Sequence, residues 1–364
     1  MLRFLLVPVG LILVGLVLVD LLWTTLGASA GAGPVTAHTS ALAWRAVRGP
    51  GRRARSRVGR ATGVIVVFVV LFSWIALLYV GWLLVFGAAD RAVVSTATER
   101  PAGLAGRSYF VGYTVFTLGN GDLKPGASLW QTATVTATGT GLVLISLAIT
   151  YLVPVVGAAT DRRSLAGYIA SLGESPAEIV RRSWDGSDVR ALAPHLEALA
   201  PRIQEAGERH LTYPVLHFFS TSDPRTSAPV AIAVLHEALS LLRSGIVPEV
   251  RLQPITVEPA WEAIGSFLDT LAGAFISPAD DPLPPPDLAT LRAEGLPTVE
   301  ERAFLANLED QRKRRCLVAG LLSEGGWGAA TFVPRDQETG RTAQGGFARK
   351  TEPARRPTGG EGLA

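Results

Sequence analysis

Residues 108–125 read SYFVGYTVFTLGNGDLKP and lie between two long apolar runs. The aromatic and small residues from Ser108 to Phe116 supply about two and a half turns of helix. That run stops at Thr117-Leu118-Gly119-Asn120-Gly121-Asp122, where two glycines alternate with residues that carry side chains. Alternating glycines let a backbone take left-handed and right-handed dihedrals in turn. Successive carbonyl oxygens can then point one way and line a narrow axis, replacing the hydration shell of an ion. A glycine pair alone says little. After a short helix and between two candidate spans, it says much more.

The stretch resembles the pore loop of tetrameric potassium channels, whose signature reads T-V-G-Y-G-D or T-x-G-[YF]-G-D. Thr117, Leu118, Gly119, Gly121 and Asp122 match it position by position, and Pro125 matches the proline that commonly follows. Asn120 stands where the family has an aromatic, and Phe116 replaces the second threonine usual before the filter. The resemblance covers residues 61–159. It implies that Thr117, Leu118, Gly119, Asn120 and Gly121 bind ions, chiefly through the carbonyls of Thr117 to Asn120 and the Thr117 hydroxyl. By the same resemblance Asp122 anchors the outer end of the filter against the pore helix, and four copies of the chain close the pore.

Outward from this stretch, composition fits a membrane protein. The chain has 364 residues, 48% of them hydrophobic, and the apolar ones gather toward the N-terminus. Residues 4–26 form a first candidate span, long enough to cross about 30 Å of hydrocarbon. A cleaved signal peptide ending at Ala28-Ser29-Ala30 is the other reading, but the apolar run exceeds the usual core of about 7–15 residues. Asp20 sits near its end; a carboxylate within reach of headgroups and paired with a following arginine explains it without a special role. Residues 45–60 then carry seven Arg and no acid. Beside a span, such a run marks the cytoplasmic side. Span two, 62–86, therefore runs outward, with Trp74, Tyr79 and Trp82 toward its outer half; residues 88–107 form a polar outer loop. Span three, 128–156, returns to Asp161-Arg162-Arg163.

Span three is rich in Thr and Gly from Thr132 to Gly141, a face suited to close helix packing or to a water-filled cavity. Gly141 stands where the family carries a gating-hinge glycine. Gly139 and Pro154 are further hinge candidates, with plain helix packing the competing explanation for both glycines.

From Ser164 the pattern becomes that of soluble helices. Ser175-Pro176-Ala177-Glu178 and Thr298-Val299-Glu300-Glu301 read as capping boxes. Apolar residues recur at helical spacing in 230–242, 261–275 and 304–322. Residues 278–286 read as an extended proline-rich linker and 335–364 as a disordered tail. No strand–G-x-G-x-x-G–helix unit of a dinucleotide site is present in the sequence. His210, His217 and His236, with Asp223 and Glu237 nearby, are spaced poorly for metal ligation, and packing histidines explain them better. The aromatic patch 213–219 reads as domain core or subunit contact. Cys316 is an ordinary helical thiol, and Ser227 is a helix cap rather than a nucleophile.

The sequence thus predicts an all-α membrane protein with three transmembrane helices, a re-entrant pore helix with its filter, and an α-helical cytoplasmic C-terminal domain. The segments are 1–27 (first span), 28–61 (basic cytoplasmic loop), 62–160 (pore domain), 161–334 (helical domain) and 335–364 (tail). Within the pore domain the outer helix is 62–86, the pore helix 108–116, the filter 117–122 and the inner helix 128–156. Tyr113 and Thr114 are expected to support the filter, by bonding Asn120 from the pore helix. No enzyme constellation emerges. The expected activity is passive conduction by a homotetramer in a bacterial inner (plasma) membrane, with the C-terminus cytoplasmic. No cofactor is expected beyond permeant K⁺, and no nucleic acid; a cytoplasmic ligand or partner is left unassigned. The alternatives are a signalling or scaffold protein with a closed, degenerate pore, and a non-selective cation channel.

Overall fold

Three long helices, α1 (Leu6–Leu26), α3 (Arg57–Gly87) and α5 (Ser128–Leu172), carry the N-terminal half of the chain. The computed structural model describes residues 5–27, 31–47, 57–273 and 275–328. Each of the three is long and apolar enough to cross a membrane. Their exposed surface is apolar, with Ile12, Phe68, Phe72, Val135 and Val153 on the outside, and such surface is stable only in hydrocarbon. Inside, Trp74, Leu78 and Phe86 are fully buried. The helices α1 and α3 touch at Gly10 and Gly81, where a Cβ on Gly10 would come within 2.5 Å of the Gly81 carbonyl. Small residues at such a crossing let two backbones approach.

Several boundaries differ from the sequence reading. The span expected at 62–86 belongs to a helix that starts at Arg57, and that expected at 128–156 continues unbroken through Pro154 to Leu172. No new cap or breaker stops α5 at Asp161, so helical bonding simply propagates. The segment read as a basic loop contains α2 (Pro34–Val47), packed on α3. The middle of the basic run, 48–56, and the tail lie outside the described residues, as does Ala28-Ser29-Ala30. All-α is also amended. In the polar loop after α3, β1 (Val93–Ser95) pairs antiparallel with β2 (Leu123–Pro125), and Ala92, Val93 and Val94 are buried. Between them lies the short helix α4 (Leu104–Val115).

Among the described residues Asp20 is not paired with an arginine. It is fully buried, and its carboxylate receives the Val35 N–H (2.7 Å), the Thr36 N–H (3.2 Å), the Thr36 hydroxyl (2.6 Å) and the Trp74 indole N–H (2.8 Å). A carboxylate only accepts hydrogen bonds, and every group facing it here is a donor. The N-terminus of α2 leaves N–H groups orphaned and carries positive partial charge. Asp20 therefore caps α2 from a neighbouring helix and ties both to α3 through Trp74.

The C-terminal domain wraps α8 (Ala228–Ser240), which is buried at every residue. A helix apolar on all faces must sit inside. Against it pack the end of α5, α6 (Pro176–Ser183), α9 (Pro254–Ala272) and α12 (Arg312–Glu324), while α7 (Ala193–Thr212) lies on α9, α10 (Leu288–Ala293) on α6 and α11 (Glu301–Asp310) on α12. Ser175 caps α6, its hydroxyl receiving the Glu178 N–H, while Glu178 receives that of Glu174. The second expected box fails: α11 starts at Glu301 after Glu300, while Thr298 forms a β-bridge to Ile246 and accepts from Arg292. Tertiary bonds outcompeted the local signal.

The 278–286 segment is extended but is no free linker. Leu283 is buried, and the carbonyls of Leu283 (2.7 Å) and Pro284 (3.1 Å) accept from Arg315. Arg315 also makes a buried ion pair with Glu237 at 3.0 Å. A buried pair is tolerable only when its remaining donors are satisfied, and this strap satisfies them. The patch 213–219 is corrected as well. It joins the core of the spans instead of its own domain, with Val215 and Leu216 in the span cluster, Trp44 against Phe218 (4.9 Å) and Tyr151 against Tyr213 (6.0 Å).

Replacing Asp20 with Ala strands four donor groups, three of them buried and each worth about 1–3 kcal/mol when left unpaired. We expect the full chain in detergent to lose about 3 kcal/mol or more of stability, with Asp20→Asn in between. A thermal unfolding midpoint unchanged by Asp20→Ala would contradict this structural role.

Candidate functional site

The candidate site is the turn that follows α4. The helix is held from behind: Phe110 and Val111 are buried, Phe110 meets Phe86 edge-on at 5.2 Å, and the Tyr79 hydroxyl donates to the Ser108 carbonyl at 3.0 Å. At its end the Thr117 N–H donates to Thr114 O (3.1 Å) and the Leu118 N–H to Tyr113 O (2.8 Å). These two bonds turn the chain back over the helix terminus. From there φ is positive at Thr117 (58°), Gly119 (64°) and Gly121 (80°), and not at Leu118 or Asn120. Glycine takes that conformation freely, whereas in Thr117 it is strained by about 1 kcal/mol or more.

A backbone that alternates in this way lays its carbonyls along one edge and its N–H groups along the other. With the Thr117 and Leu118 N–H groups turned to α4, the carbonyls of the same peptide units, those of Phe116 and Thr117, face away from it. Among the described residues the carbonyls of Thr117, Leu118, Gly119 and Asn120 accept no hydrogen bond. Those of Gly121 and Asp122 do, from the Thr96 hydroxyl (2.8 Å) and the Thr96 N–H (3.0 Å). Residues 116–122 are all exposed, Leu118 at 70%. The structure thus divides the six-residue motif: four carbonyls are open and two are engaged, so Gly121 differs from its neighbours.

The supports are not those expected. The Asn120 amide donates to the hydroxyl of Tyr109, one turn before Tyr113 on α4. Tyr113 is unavailable because its hydroxyl donates to Leu123 O at 2.7 Å. Thr114 is buried, its hydroxyl without a partner among the described residues. The Asp122 side chain makes no hydrogen bond to α4 among the described residues; the outer end is anchored by Thr96 and the β1–β2 ribbon. Sequence reasoning missed Thr96 and Tyr109, since Thr96 lies 25 positions from Gly121 in an unremarkable loop. Arg107 clamps that loop, donating to Gly87 O, Asp90 O and Ala102 O.

The hinge candidates separate too. A Cβ on Gly141 would fall 2.0 Å from Val115 O, so α5 closes on the end of α4 only because this residue is glycine. Gly139 meets nothing within 4 Å, and α5 passes through Pro154 without a break. Thr132, Thr134, Thr136 and Thr138 return their hydroxyls to carbonyls of their own helix, which removes them from partnering across the bundle. Trp82 donates to the Thr140 hydroxyl at 2.9 Å and ties α3 to α5.

His210 and His217 come together, ring centroids 5.9 Å apart, while His236 is held separately on α8. Burial, and secondarily Arg162, pushes His210 well below its ordinary pKa; it packs edge-on to Phe275 at 5.0 Å. His236 stacks on Trp261 at 4.8 Å inside the C-terminal core, and burial lowers it against the pull of Glu237. Asp223 caps the turn Pro224–Thr226, and Cys316 is buried on α12. Among the described residues no three His, Cys, Asp or Glu side chains are grouped as metal ligands.

The chain is 34% identical over 317 residues to the uncharacterized membrane protein YdjJ of Bacillus subtilis (strain 168), covering 87% of this chain and 92% of that protein. It belongs to that protein's family. An alignment of this length takes in both the spans and the C-terminal helices, so the two halves are a shared unit. No family model matches the sequence, and no solved structure matches it. Together with the three apolar helices, the relationship makes this a membrane protein of mostly helical fold.

Overpacking a tight backbone contact costs about 1–3 kcal/mol. Gly141→Val is therefore expected to destabilise the detergent-solubilised chain by about 2 kcal/mol, and Gly139→Ala by less than about 0.5 kcal/mol. Thermal unfolding of the pair checks the contact; equal effects would contradict it.

Proposed function

We propose that the chain is one subunit of a homotetrameric monovalent-cation channel of the potassium-channel type, conducting K⁺ passively. One observation carries the reading: the left–right alternation at Thr117, Gly119 and Gly121, with four unbonded carbonyls, in a turn after a short helix framed by two apolar helices. In this reading α4 and the turn re-enter the membrane from outside. The carbonyls of Thr117 to Asn120 and the Thr117 hydroxyl replace water around the ion. One chain supplies one edge of such a ring, and the family resemblance sets the number of copies at four. The basic run from Arg45 to Arg60 supports a cytoplasmic α2–α3 connection, and with it a cytoplasmic C-terminal domain, in a bacterial inner membrane. No Arg ladder runs along α1, so voltage sensing through it is not part of the proposal.

A second reading, a scaffold protein with a non-conducting pore, is favoured by Phe116 and Asn120, which depart from the channel signature. A third, non-selective conduction, follows from Asn120 alone. An amide bonded to Tyr109 gives the filter a polar tether in place of an apolar cuff.

Purified protein in liposomes, assayed for K⁺ against Na⁺ by reversal potential, tests all three. We expect a cation current that prefers K⁺, less strictly than an aromatic filter does. Tyr109→Phe removes the Asn120 tether, worth about 0.5–1.5 kcal/mol, and should weaken that preference about two- to tenfold. Asn120→Tyr should sharpen it. Absence of any cation current with folded protein would favour the scaffold reading.

A further inference from the structure

Where the apolar part of α5 ends, at Asp161-Arg162-Arg163, the helix runs on against α7 and the two enclose a cavity of about 190 Å³. Three guanidinium groups line it: Arg162, Arg202 and Arg209. Arg209 is neutralised by ion pairs with Asp161 and Glu205. The other two have no carboxylate partner among the described residues. Arg162 spends one donor on Leu216 O (2.7 Å), and Arg202 lies over the Tyr168 ring and donates to the Ser164 hydroxyl (3.1 Å). A guanidinium offers five donors in a rigid fork that fits tetrahedral oxyanions. The three arginines and two acids leave a net charge of about +1 at the cavity, with most of those donors unused. Its remaining wall is apolar, including Leu165 and Leu216.

We propose that this cavity binds a phosphate group, held by Arg162 and Arg202. Arg315, which also fixes buried carbonyls, spends its other donors on Glu237, whereas Arg162 and Arg202 leave theirs to the cavity. The position is also telling. Leu216 belongs to the 213–219 segment that packs on the feet of α3 and α5, so an occupant of this cavity sits where the C-terminal domain joins the spans. The phosphate can belong to a membrane lipid, since the cavity opens where the apolar part of α5 ends, or to a free phosphate or its ester. Binding at this site is independent of conduction, and its failure leaves the channel reading as it stands.

The test uses the full chain in phosphate-free dodecyl maltoside, followed by thermal unfolding. One arm adds inorganic phosphate, a second adds dioleoylphosphatidylglycerol in mixed micelles, and a third adds dioleoylglycerol, which has no phosphate. A ligand that binds only the folded state raises the midpoint saturably, here by about 3 °C or more at saturation. A rise with inorganic phosphate alone identifies a free phosphate; a rise with phosphatidylglycerol but neither other probe identifies a lipid. Arg202→Gln, which leaves the Leu216 bond intact, should abolish the rise, and Arg162→Gln should do the same. No rise with either phosphate probe, or a rise that persists in both variants, would overturn the proposal.

Discussion

Hydrocarbon offers no partner to an unpaired peptide group, so non-helical backbone at membrane depth survives only where it is enclosed by protein or lines water. Under the proposed function, residues 116–122 meet that constraint directly. Their backbone leaves the α4 ladder and alternates in handedness, and four successive carbonyls are left without hydrogen bonds. Around them the structure is built to hold rather than to cover. Tyr79 fixes the start of α4, Gly141 lets α5 close on its end, and Thr96 with the β1–β2 ribbon pins the exit. Under the proposed function, the remaining partners of this exposed strand are neighbouring copies and ions.

A second constraint links the two halves of the molecule. Because α5 does not end at the membrane boundary, one rigid element of 45 residues runs from beside the turn to the C-terminal core. The 213–219 segment returns from that domain and wedges against α3 and α5 through Phe218, Tyr213 and Leu216. Any shift of α7 is therefore felt at the feet of the spans, without a flexible linker to absorb it. That arrangement gives the proposed phosphate cavity a place from which to act on the spans.

The long spans were legible because hydrocarbon admits so few solutions: an apolar run of more than 20 residues reads as a helix. The glycine alternation was legible because few backbones need it. What escaped were bonds between distant residues. Asp20 looked like a headgroup carboxylate because nothing local signals that its partner is a helix end 15 residues on. Tyr109 was passed over for Tyr113, whose hydroxyl is already committed to Leu123. The Thr298 box satisfied a local rule and lost to Arg292 and Ile246. The apolar patch at 213–219 reads as domain core or subunit contact and packs with the spans instead of the C-terminal core, since an aromatic cluster carries no label for the core it joins.

The central claim is that the carbonyls of Thr117 to Asn120 from several copies ring an ion. Anomalous diffraction from crystals grown in Tl⁺, a heavy stand-in for K⁺, tests it most directly. The account predicts a four-fold axis beside residues 117–120 with Tl⁺ peaks strung along it at carbonyl coordination distance. Protein that crystallises with residues 117–120 against lipid or another protein surface, and with no ion on any shared axis, would contradict it.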